Sequence, residues 1–300
     1  MTTSMDILLH ASVNLFKAVW QQLWLSNQKA RLTAQTGNAY SKIGSVAIVG
    51  AGPGDAELLT IKAYKALQNA DIVLFDWLVD DSVLRMIPAH VDKEFVGKRA
   101  GKHSMQQADI CKRILLHALA GKKVVRLKGG DPAIFARTVE ETQVLSEYNV
   151  PFCIIPGVTS ASGASAYTGI PLTHRDCASS VRLITASLKN PSSEPNWKEL
   201  VGSSKNQTLV FYMGLKKLDL ICSRLINSGL ETSWPIAVVD NACTPIQRIE
   251  IATVLNITQQ VKNAKFKGPA MIIIGKVVDY RQAINVALMY DVSVKPYKRA

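Results

Sequence analysis

The chain has 300 residues, of which 48% are apolar and 19% charged. This composition is typical of globular proteins and excludes an intrinsically disordered chain. The longer apolar runs, such as residues 270–275, are far shorter than the roughly 20 residues that a membrane-spanning helix needs. Lys and Arg exceed Asp and Glu by 35 to 23, for a net charge of +12. This surplus favours an acidic partner: a nucleic acid, an anionic membrane surface or a polyanionic small molecule.

The cellular compartment and the presence of a metal site can be predicted from the spacing of the cysteines and histidines and from residues 1–5. The five cysteines lie far apart, and no two have the two-residue spacing of a zinc or redox site. The histidines include no pair at the helical spacing of metal ligands. Residues 1–5 lack the basic stretch and the apolar core of a secretory signal. We therefore expect a reduced, cytoplasmic protein that is not exported and has no metal site.

Residues 1–44 differ in pattern from the rest of the chain. Six apolar side chains recur at steps of three and four and would share one side of a helix: Leu9, Val13, Phe16, Trp20, Leu23 and Trp24. Residues 35–44 follow as a polar linker that contains glycine. The simplest interpretation is an N-terminal amphipathic helix that packs on its own domain or on a second subunit. A helix lying on a membrane surface is disfavoured, because its polar side has few Lys and Arg.

After this linker, short apolar runs alternate with helical periodicity. Strands are predicted at residues 46–49, 72–75, 124–127 and 152–155. Helices are predicted from Asp55 through Leu67 and over 140–148, and Ser104 with Gln107 forms a capping box for a third helix. Such alternation predicts parallel β-α-β units.

Beyond Pro156 the alternation continues. Strands are predicted at residues 181–185, 209–212, 236–239 and 271–274, and helices at about 215–228 and 254–265. Residues 247–253 alternate polar and apolar side chains, which predicts a partly exposed antiparallel strand. The predicted fold class is α/β with two α/β domains: a parallel sheet over 45–156 and a mixed sheet over 157–280, followed by a tail over 281–300.

Ligands of open α/β sheets bind beyond the carboxyl ends of strands, so the loops after the strands are the candidate binding elements. Residues 50–55 (GAGPGD) resemble a dinucleotide fingerprint, but the third glycine comes one position early. Pro53 also lacks the N–H group that a phosphate cradle needs. A nicotinamide or flavin nucleotide is therefore not expected, and a tight strand-to-helix turn is the alternative reading.

Two further loops carry small or polar residues. The glycines of residues 129–132 (GGDP) let a ligand approach the main chain, and the Asp131 carboxylate can meet hydroxyl or ammonium groups. A plain turn explains this loop equally well. Residues 156–163 (PGVTSASG) supply hydroxyl groups without a nucleophile elbow, and Thr159 or Ser160 is equally suited to capping the next helix.

Basic residues gather near the predicted strand ends: Lys98, Arg99, Lys102, Arg126, Lys128, Arg137 and Arg175. Each one alone is most simply interpreted as a solvated surface residue. Several together at the mouth of a cleft would suit a substrate with many carboxylates, since each charged hydrogen bond contributes about 1.5–3 kcal/mol.

Taken together, these segments resemble the uroporphyrinogen-III C-methyltransferase family, within the tetrapyrrole methylases, from about Ser45 to Val278. The matching segments are VGAGPGD (49–55), FD (75–76), LV (78–79), VGKRAG (96–101), VRLKGGDP (125–132), PGVT (156–159), IPLTHRD (170–176), YMGL (212–215) and GPA (268–270). VGKRAG and THRD distinguish this family from relatives that act later on the ring.

The resemblance implies an enzyme that methylates uroporphyrinogen III on rings A and B in turn, giving precorrin-2 for siroheme or cobalamin. It implies S-adenosylmethionine as methyl donor, with S-adenosylhomocysteine as its product, bound in a cleft between the two domains. It also implies a homodimer. The carboxylates of this substrate would account for the basic surplus without a nucleic-acid partner.

The same resemblance assigns residues by their motifs. Asp76 is the implied catalytic base and Lys98 has a supporting catalytic role. The implied cofactor contacts are Pro53, Gly129, Gly130, Asp131, Ile134, Thr159, Ser160, Met213, Ala242 and Ala270. Arg99, Arg137 and Arg175 are the candidates for binding substrate carboxylates.

Three segments depart from the family pattern. Trp77 stands where a polar or basic residue is usual, residues 136–139 (ARTV) replace Gly-Arg-Gly-Gly, and residues 240–243 (DNAC) replace Glu-Asn-Gly-Thr. Two alternatives follow: a methylase of the same superfamily acting later in corrin synthesis or on RNA, and a tetrapyrrole-binding protein without catalysis. The lack of an aromatic-rich basic stripe argues against RNA. Retention of Asp76 and Lys98 argues against lost catalysis.

Overall fold

The computed structural model describes residues 43–97, 105–188, 194–202, 204–285 and 288–289. The helix and linker predicted over residues 1–44, apart from their last two positions, lie outside these ranges. So do Lys98, Arg99, Lys102 and Ser104. Within them the chain forms two five-stranded sheets, one in each half.

The first sheet is built entirely from parallel strands. They are β1 (Ser45–Gly50), β2 (Ile72–Phe75), β3 (Asp92–Phe95), β4 (Lys123–Lys128) and β5 (Phe152–Ile155). Their order across the sheet is β3-β2-β4-β1-β5. The accompanying helices are α1 (Ile61–Gln68), α2 (Asp81–Leu84), α3 (Gln107–Leu119) and α4 (Thr138–Glu147), with a 3-10 turn at Ala56–Leu58.

Alternation along each strand divides the buried side chains between two helical layers. In β1, Val46 and Ile48 pack with the residues of α3 and α4, whereas Val49 packs with those of α1. None of the three is more than 1% exposed. Both faces of the sheet are therefore apolar, and this is why its central strands appear in the sequence as continuous apolar runs.

The second sheet is mixed. Its strands are β6 (Ser180–Thr185), β7 (Gln207–Tyr212), β8 (Pro235–Asp240), β9 (Arg248–Thr253) and β10 (Ala270–Ile274), in the order β6-β7-β10-β8-β9. Only β6 and β7 pair in parallel. The helices are α5 (Ser160–Thr168), α6 (Trp197–Gly202), α7 (Leu218–Asn227) and α8 (Ile257–Asn263), with 3-10 turns at Ser204–Asn206, Leu215–Lys217 and Lys276–Ala283.

The predicted fold class, with a parallel first sheet and a mixed second sheet, is confirmed. The alternating segment predicted as an antiparallel strand is β9, which pairs with β8 from Pro235↔Thr253 to Asp240↔Arg248. Strand β3 escaped prediction because its sequence, DKEF, is polar except for one residue and lies at the edge of the sheet.

Two predictions of helix starts are wrong. α3 begins at Gln107 with Gln106 in the N-cap position, two residues later than a capping box starting at position 104 implies. The helix predicted from Asp55 is interrupted: the Asp55 carboxylate caps only the 3-10 turn, and Thr60 starts α1 by accepting a hydrogen bond of 3.1 Å from the amide of Ala63.

The described residues were compared with the expectations about cysteine pairing, metal binding and membrane spanning. All five cysteines are free thiols. Among the described residues, no group of three or more His, Cys, Asp or Glu side chains has an arrangement that would hold a metal ion. None of the helices in the described ranges combines the length and apolar character needed to cross a membrane.

Candidate active site between the two sheets

The glycine loops that follow β1, β4 and β5 meet at one edge of the first sheet. Gly52 and Gly130 exchange two backbone hydrogen bonds, of 3.2 Å and 2.7 Å. A Cβ atom placed on Gly50 would lie 2.6 Å from both the carbonyl oxygen of Gly130 and the amide nitrogen of Gly157. Contacts this close require glycine, so the three loops form one packed unit.

Asp131 holds this unit together. One carboxylate oxygen accepts a 2.7 Å hydrogen bond from the amide of Ala133, and the other accepts a 3.0 Å bond from the amide of Gly157. Both oxygens therefore already have main-chain donors. Asp131 links the loops after β4 and β5, a positioning role that motif matching alone did not reveal.

The second sheet presents its candidate cofactor residues at a single edge. Strands β7 and β8 both run antiparallel to β10, so their carboxyl ends lie beside its amino end. Met213, Ala242 and Ala270 are thereby brought to the same edge. The buried Asp240 carboxylate accepts a 2.9 Å bond from the amide of Gly268, which fixes the loop after β8 against the start of β10.

Tyr212, at the end of β7, fixes the start of α5 to the second sheet. Its hydroxyl lies 2.6 Å from Thr159 Oγ1 and accepts a 3.3 Å hydrogen bond from the amide of Ala161. Thr159 occupies the N-cap position of α5, yet its hydroxyl makes this contact and no capping bond. Burial raises the pKa of Tyr212, so the phenol stays protonated at neutral pH and keeps both contacts.

Tyr212→Phe is expected to lower the free energy of unfolding by about 1–3 kcal/mol, because Thr159 and the Ala161 amide each lose a buried partner. Urea denaturation followed by circular dichroism measures this change. Tyr64→Phe, at an exposed position on α1, is the matched control. Equal stability of the two variants would contradict the role of Tyr212 in holding the start of α5.

Pro53 and Asp55 connect the two halves of the molecule. A Cβ atom on Gly163 of α5 would lie 2.6 Å from Pro53 Cγ and 2.7 Å from Cys243 Sγ, so the three elements pack without space for a side chain. The Tyr167 hydroxyl donates a hydrogen bond to Asp55 Oδ2. The loop after β1 is therefore fixed to the second half as well as to the first.

Asp76 follows β2 at the same edge, and its side chain is 23% exposed. Its Oδ2 accepts a 2.9 Å hydrogen bond from Arg126 Nη2, and its Oδ1 accepts a 3.1 Å bond from the amide of Leu78. A Cβ atom on Gly129 would lie 2.6 Å from Leu78 Cβ. The loop that carries the candidate base is thus in direct contact with the glycine loop after β4.

Exposed apolar side chains lie on the loops that follow β2, β4 and β7. Trp77 is 67% exposed, Leu78 56%, Met213 54% and Phe135 41%. Phe135 packs edge to face on Tyr212, with ring centroids 5.1 Å apart. Exposed apolar side chains on several neighbouring loops favour a ligand that has apolar area to bury.

Of the remaining predicted catalytic and substrate-binding residues, some lie outside the described residues and others lie on described loops. Lys98 and Arg99 lie outside the described residues, although a Cβ on the preceding Gly97 would stand 2.7 Å from the amide nitrogen of Trp77. Arg137 is exposed on the loop after β4, has a left-handed backbone (φ 56°) and pairs with Glu140. The neighbouring Thr138, one of the departures from the family pattern, bonds the carbonyl of Pro132 at 2.5 Å.

The structure does not bring Arg175 to this edge. It lies between His174 and Ala178, whose backbones pair at 2.8 Å and 3.0 Å just before β6 begins. Because β6 and β7 are parallel, this is the edge opposite Met213, about 20 Å away at roughly 3.3 Å per residue. A role for Arg175 in substrate binding stays a prediction.

Sequence reasoning missed the residues that connect the elements. Tyr212 appeared only as part of a matching segment, and nothing in the chain pattern singled out Glu141. The expectation that Arg126 and Lys128 are solvated is wrong, since both are buried. The sequence did contain a signal, because Arg126 and Lys128 are two residues apart in an otherwise apolar strand. Their side chains therefore point to the same face of the sheet, which helices cover.

This arrangement defines an α/β protein in which loops at the strand ends of two sheets meet, the place where open α/β sheets bind ligands. The family of Tetrapyrrole (Corrin/Porphyrin) Methylases matches residues 45–258. The chain belongs to this family of methyltransferases.

Its relatives agree with that assignment. Siroheme synthase from Enterobacter sp. (strain 638) is 47% identical over 242 residues, which cover 81% of this chain and 52% of that protein. Siroheme synthase from Acinetobacter baylyi gives the same identity and coverage. The chain therefore spans about half the length of these curated relatives.

Solved structures show the same fold. Uroporphyrin-III C-methyl transferase from Thermus thermophilus, complexed with S-adenyl homocysteine, is 38% identical, with a TM-score of 0.67 over 79% of this chain and 99% of that one. A cobalt precorrin-4 methyltransferase is 29% identical, with a TM-score of 0.70 over 78% of this chain and 96% of that one.

Proposed function

We propose that this chain transfers methyl groups from S-adenosylmethionine to carbon atoms of uroporphyrinogen III, on rings A and B in turn, giving precorrin-2. The observation that carries the proposal is the placement of Asp76: a partly exposed carboxylate, held in a fixed orientation, beside the glycine loop of the candidate cofactor site and followed by the exposed Trp77 and Leu78.

The residues present fit the methyl donor. Gly130 has a left-handed backbone (φ 68°), and a Cβ atom there would lie 3.6 Å from Ser160 Oγ and 3.9 Å from its amide nitrogen. This glycine therefore keeps open the space in front of the first turn of α5, where a helix N-terminus favours a carboxylate such as that of the donor. The proposed cofactor contacts are Pro53, Gly129, Gly130, Asp131, Ile134, Thr159, Ser160, Met213, Ala242 and Ala270, and Asp131 also links two of the loops.

When bound, S-adenosylmethionine supplies a methyl group made electrophilic by a positively charged sulfur. The loops of the chain chiefly hold a pyrrole carbon in line with that group and exclude water. The new carbon–carbon bond leaves a positive charge on the ring, which is neutralised by loss of a proton. Asp76 stabilises this charge and accepts the proton, a contribution that is typically 10²- to 10⁴-fold. Lys98 is proposed to assist, and Arg99 and Arg137 to bind substrate carboxylates.

Anaerobic incubation of the purified chain with S-adenosylmethionine and uroporphyrinogen III tests the proposal. We expect a fluorescent product after oxidation, with two added methyl groups by mass spectrometry and none when the methyl donor is omitted. Methylation of a later corrin intermediate or of RNA, with no methyl group entering uroporphyrinogen III, would contradict the substrate assignment.

The proposal extends to the domain boundaries, the oligomeric state and the cellular location of the chain. The two sheets are proposed as domains over residues 45–156 and 157–280, with residues 1–44 and 281–300 as flanking segments. The chain is proposed to work as a homodimer in the cytoplasm. Light scattering coupled to gel filtration measures the oligomeric state, and a monomeric mass at working concentration would contradict the dimer.

A further inference from the structure

Four charged side chains form a continuous series between the core of the first half and the candidate site. Lys128 Nζ lies 2.8 Å from Glu141 Oε2, Glu141 Oε1 lies 3.2 Å from Arg126 Nε, and Arg126 Nη2 lies 2.9 Å from Asp76 Oδ2. The charges alternate in sign along this series, which we name the charge series. Its two cations and two anions balance.

Only one member of the charge series is appreciably exposed. The side chains of Arg126 and Lys128 are 4% exposed and that of Glu141 is fully buried, whereas Asp76 is 23% exposed. Removing water from charged groups is expensive, and replacing such groups with apolar ones is often neutral or stabilising. Stability alone is therefore a poor account of three buried charges directly behind the candidate base.

The geometry of Glu141 explains what the series does to Arg126. Glu141 Oε1 accepts from Arg126 Nε and, at 3.1 Å, from the side-chain amide of Gln107 on α3. Arg126 Nη1 donates to the carbonyl of Leu127 at 2.7 Å. The hydrogen bonds of Nε and Nη1 fix the plane of the Arg126 guanidinium. Nη2 is then the nitrogen that faces Asp76. Lys128 supplies the counter-charge for the buried carboxylate; its own burial lowers its pKa, and the adjoining Glu141 opposes that change.

We propose that Glu141 is a positioning residue for methyl transfer: it holds Arg126 from the side away from Asp76, and Arg126 in turn fixes the orientation of the Asp76 carboxylate. The kinetic part of this inference rests on the proposed function, with Asp76 as base. The structural part, that Glu141 determines the Arg126–Asp76 contact, does not depend on which tetrapyrrole is methylated.

Glu141→Gln is the first test, because it keeps the size of the side chain and removes its charge. Glu141→Asp is the second, since it keeps the charge needed for folding but withdraws the carboxylate from Arg126. Glu147→Gln, the same change at an exposed position of α4, is the matched control. Crystal structures of the first two variants are expected to show Arg126 Nη2 beyond hydrogen-bond distance of Asp76 Oδ2.

For kinetics, kcat is expected to fall about 10- to 100-fold in Glu141→Gln, the scale of a small misplacement of reacting groups. KM for the methyl donor and affinity for S-adenosylhomocysteine should stay within about twofold, because the glycine loops are untouched. Combined with Asp76→Asn, Glu141→Gln should cost less than about twofold further, since its effect acts through Asp76. A merely structural role would lower kcat by the same factor in both backgrounds.

The outcomes separate the two proposals. An unchanged Arg126–Asp76 contact in Glu141→Asp, or full additivity with Asp76→Asn, would overturn the positioning role. If the wild-type chain does not methylate uroporphyrinogen III, the proposed function fails. The variant structures then decide the positioning role on their own, because the contact is measured without substrate.

Discussion

Asp76→Asn is expected to lower kcat for methyl transfer by about 10²- to 10⁴-fold, the usual contribution of a positioned acid or base. Asparagine preserves the size of the side chain, and its Oδ1 can still accept from the amide of Leu78. It can neither take up the proton released by the methylated ring nor balance the positive charge that precedes this release. Single-turnover measurement of methyl transfer isolates this step from product release.

Binding of S-adenosylhomocysteine is expected to change little in this variant, since Asp76 belongs to the loop after β2 and not to the glycine loops. Asp81→Asn provides the control: it is the same chemical change five residues further on, at an exposed position. Full turnover is expected from it. If Asp76→Asn retained wild-type kcat, Asp76 would have no part in the chemistry.

Gly50→Ala is expected to disrupt the candidate cofactor site, although Gly50 is not itself a candidate cofactor contact. Its Cβ would lie 2.6 Å from two main-chain atoms and 2.7 Å from the Cα of Gly157, so backbone has to move. Overpacking of this kind typically costs about 1–3 kcal/mol of unfolding free energy. Because the displaced loops include the candidate cofactor residues, affinity for S-adenosylhomocysteine is expected to fall more than about tenfold, or 1.4 kcal/mol.

Isothermal titration calorimetry measures this affinity, and thermal unfolding measures the stability change. Gly202→Ala at the end of α6 is the control, because a Cβ there would have no neighbour within 4 Å. It is expected to leave both quantities unchanged. Wild-type affinity in Gly50→Ala would mean that the convergence of the three loops is not needed to bind the cofactor.

The candidate cofactor loops were predictable from the sequence because their signals are local. A β-branched run followed by glycines marks the end of a buried strand, and parallel strands place such ends at one edge of a sheet. The loops at residues 50–55, 129–132 and 156–159 were therefore expected to lie together. The loop after β7 could be placed beside them only by the family resemblance.

The charged residues behind the site were beyond local reasoning. Arg126 and Lys128 have the composition of surface residues, and Glu141 lies 15 and 13 residues away from them in the chain. Only the packing of α4 on the first sheet brings these three side chains together and removes them from water. Thr159 is a similar case, because its position predicts a helix cap whereas the structure pairs its hydroxyl with Tyr212.

The sequence by itself determined the strands other than β3, the loops that are rich in glycine and the carboxylate that follows β2, since these properties depend on residues a few positions apart. The tertiary structure alone decided that Arg126 and Lys128 are buried, that Asp131 links two loops, and that Arg175 lies at the far edge of the second sheet. These facts depend on contacts between distant parts of the chain, whose energies come from desolvation and packing and are not encoded in any single segment.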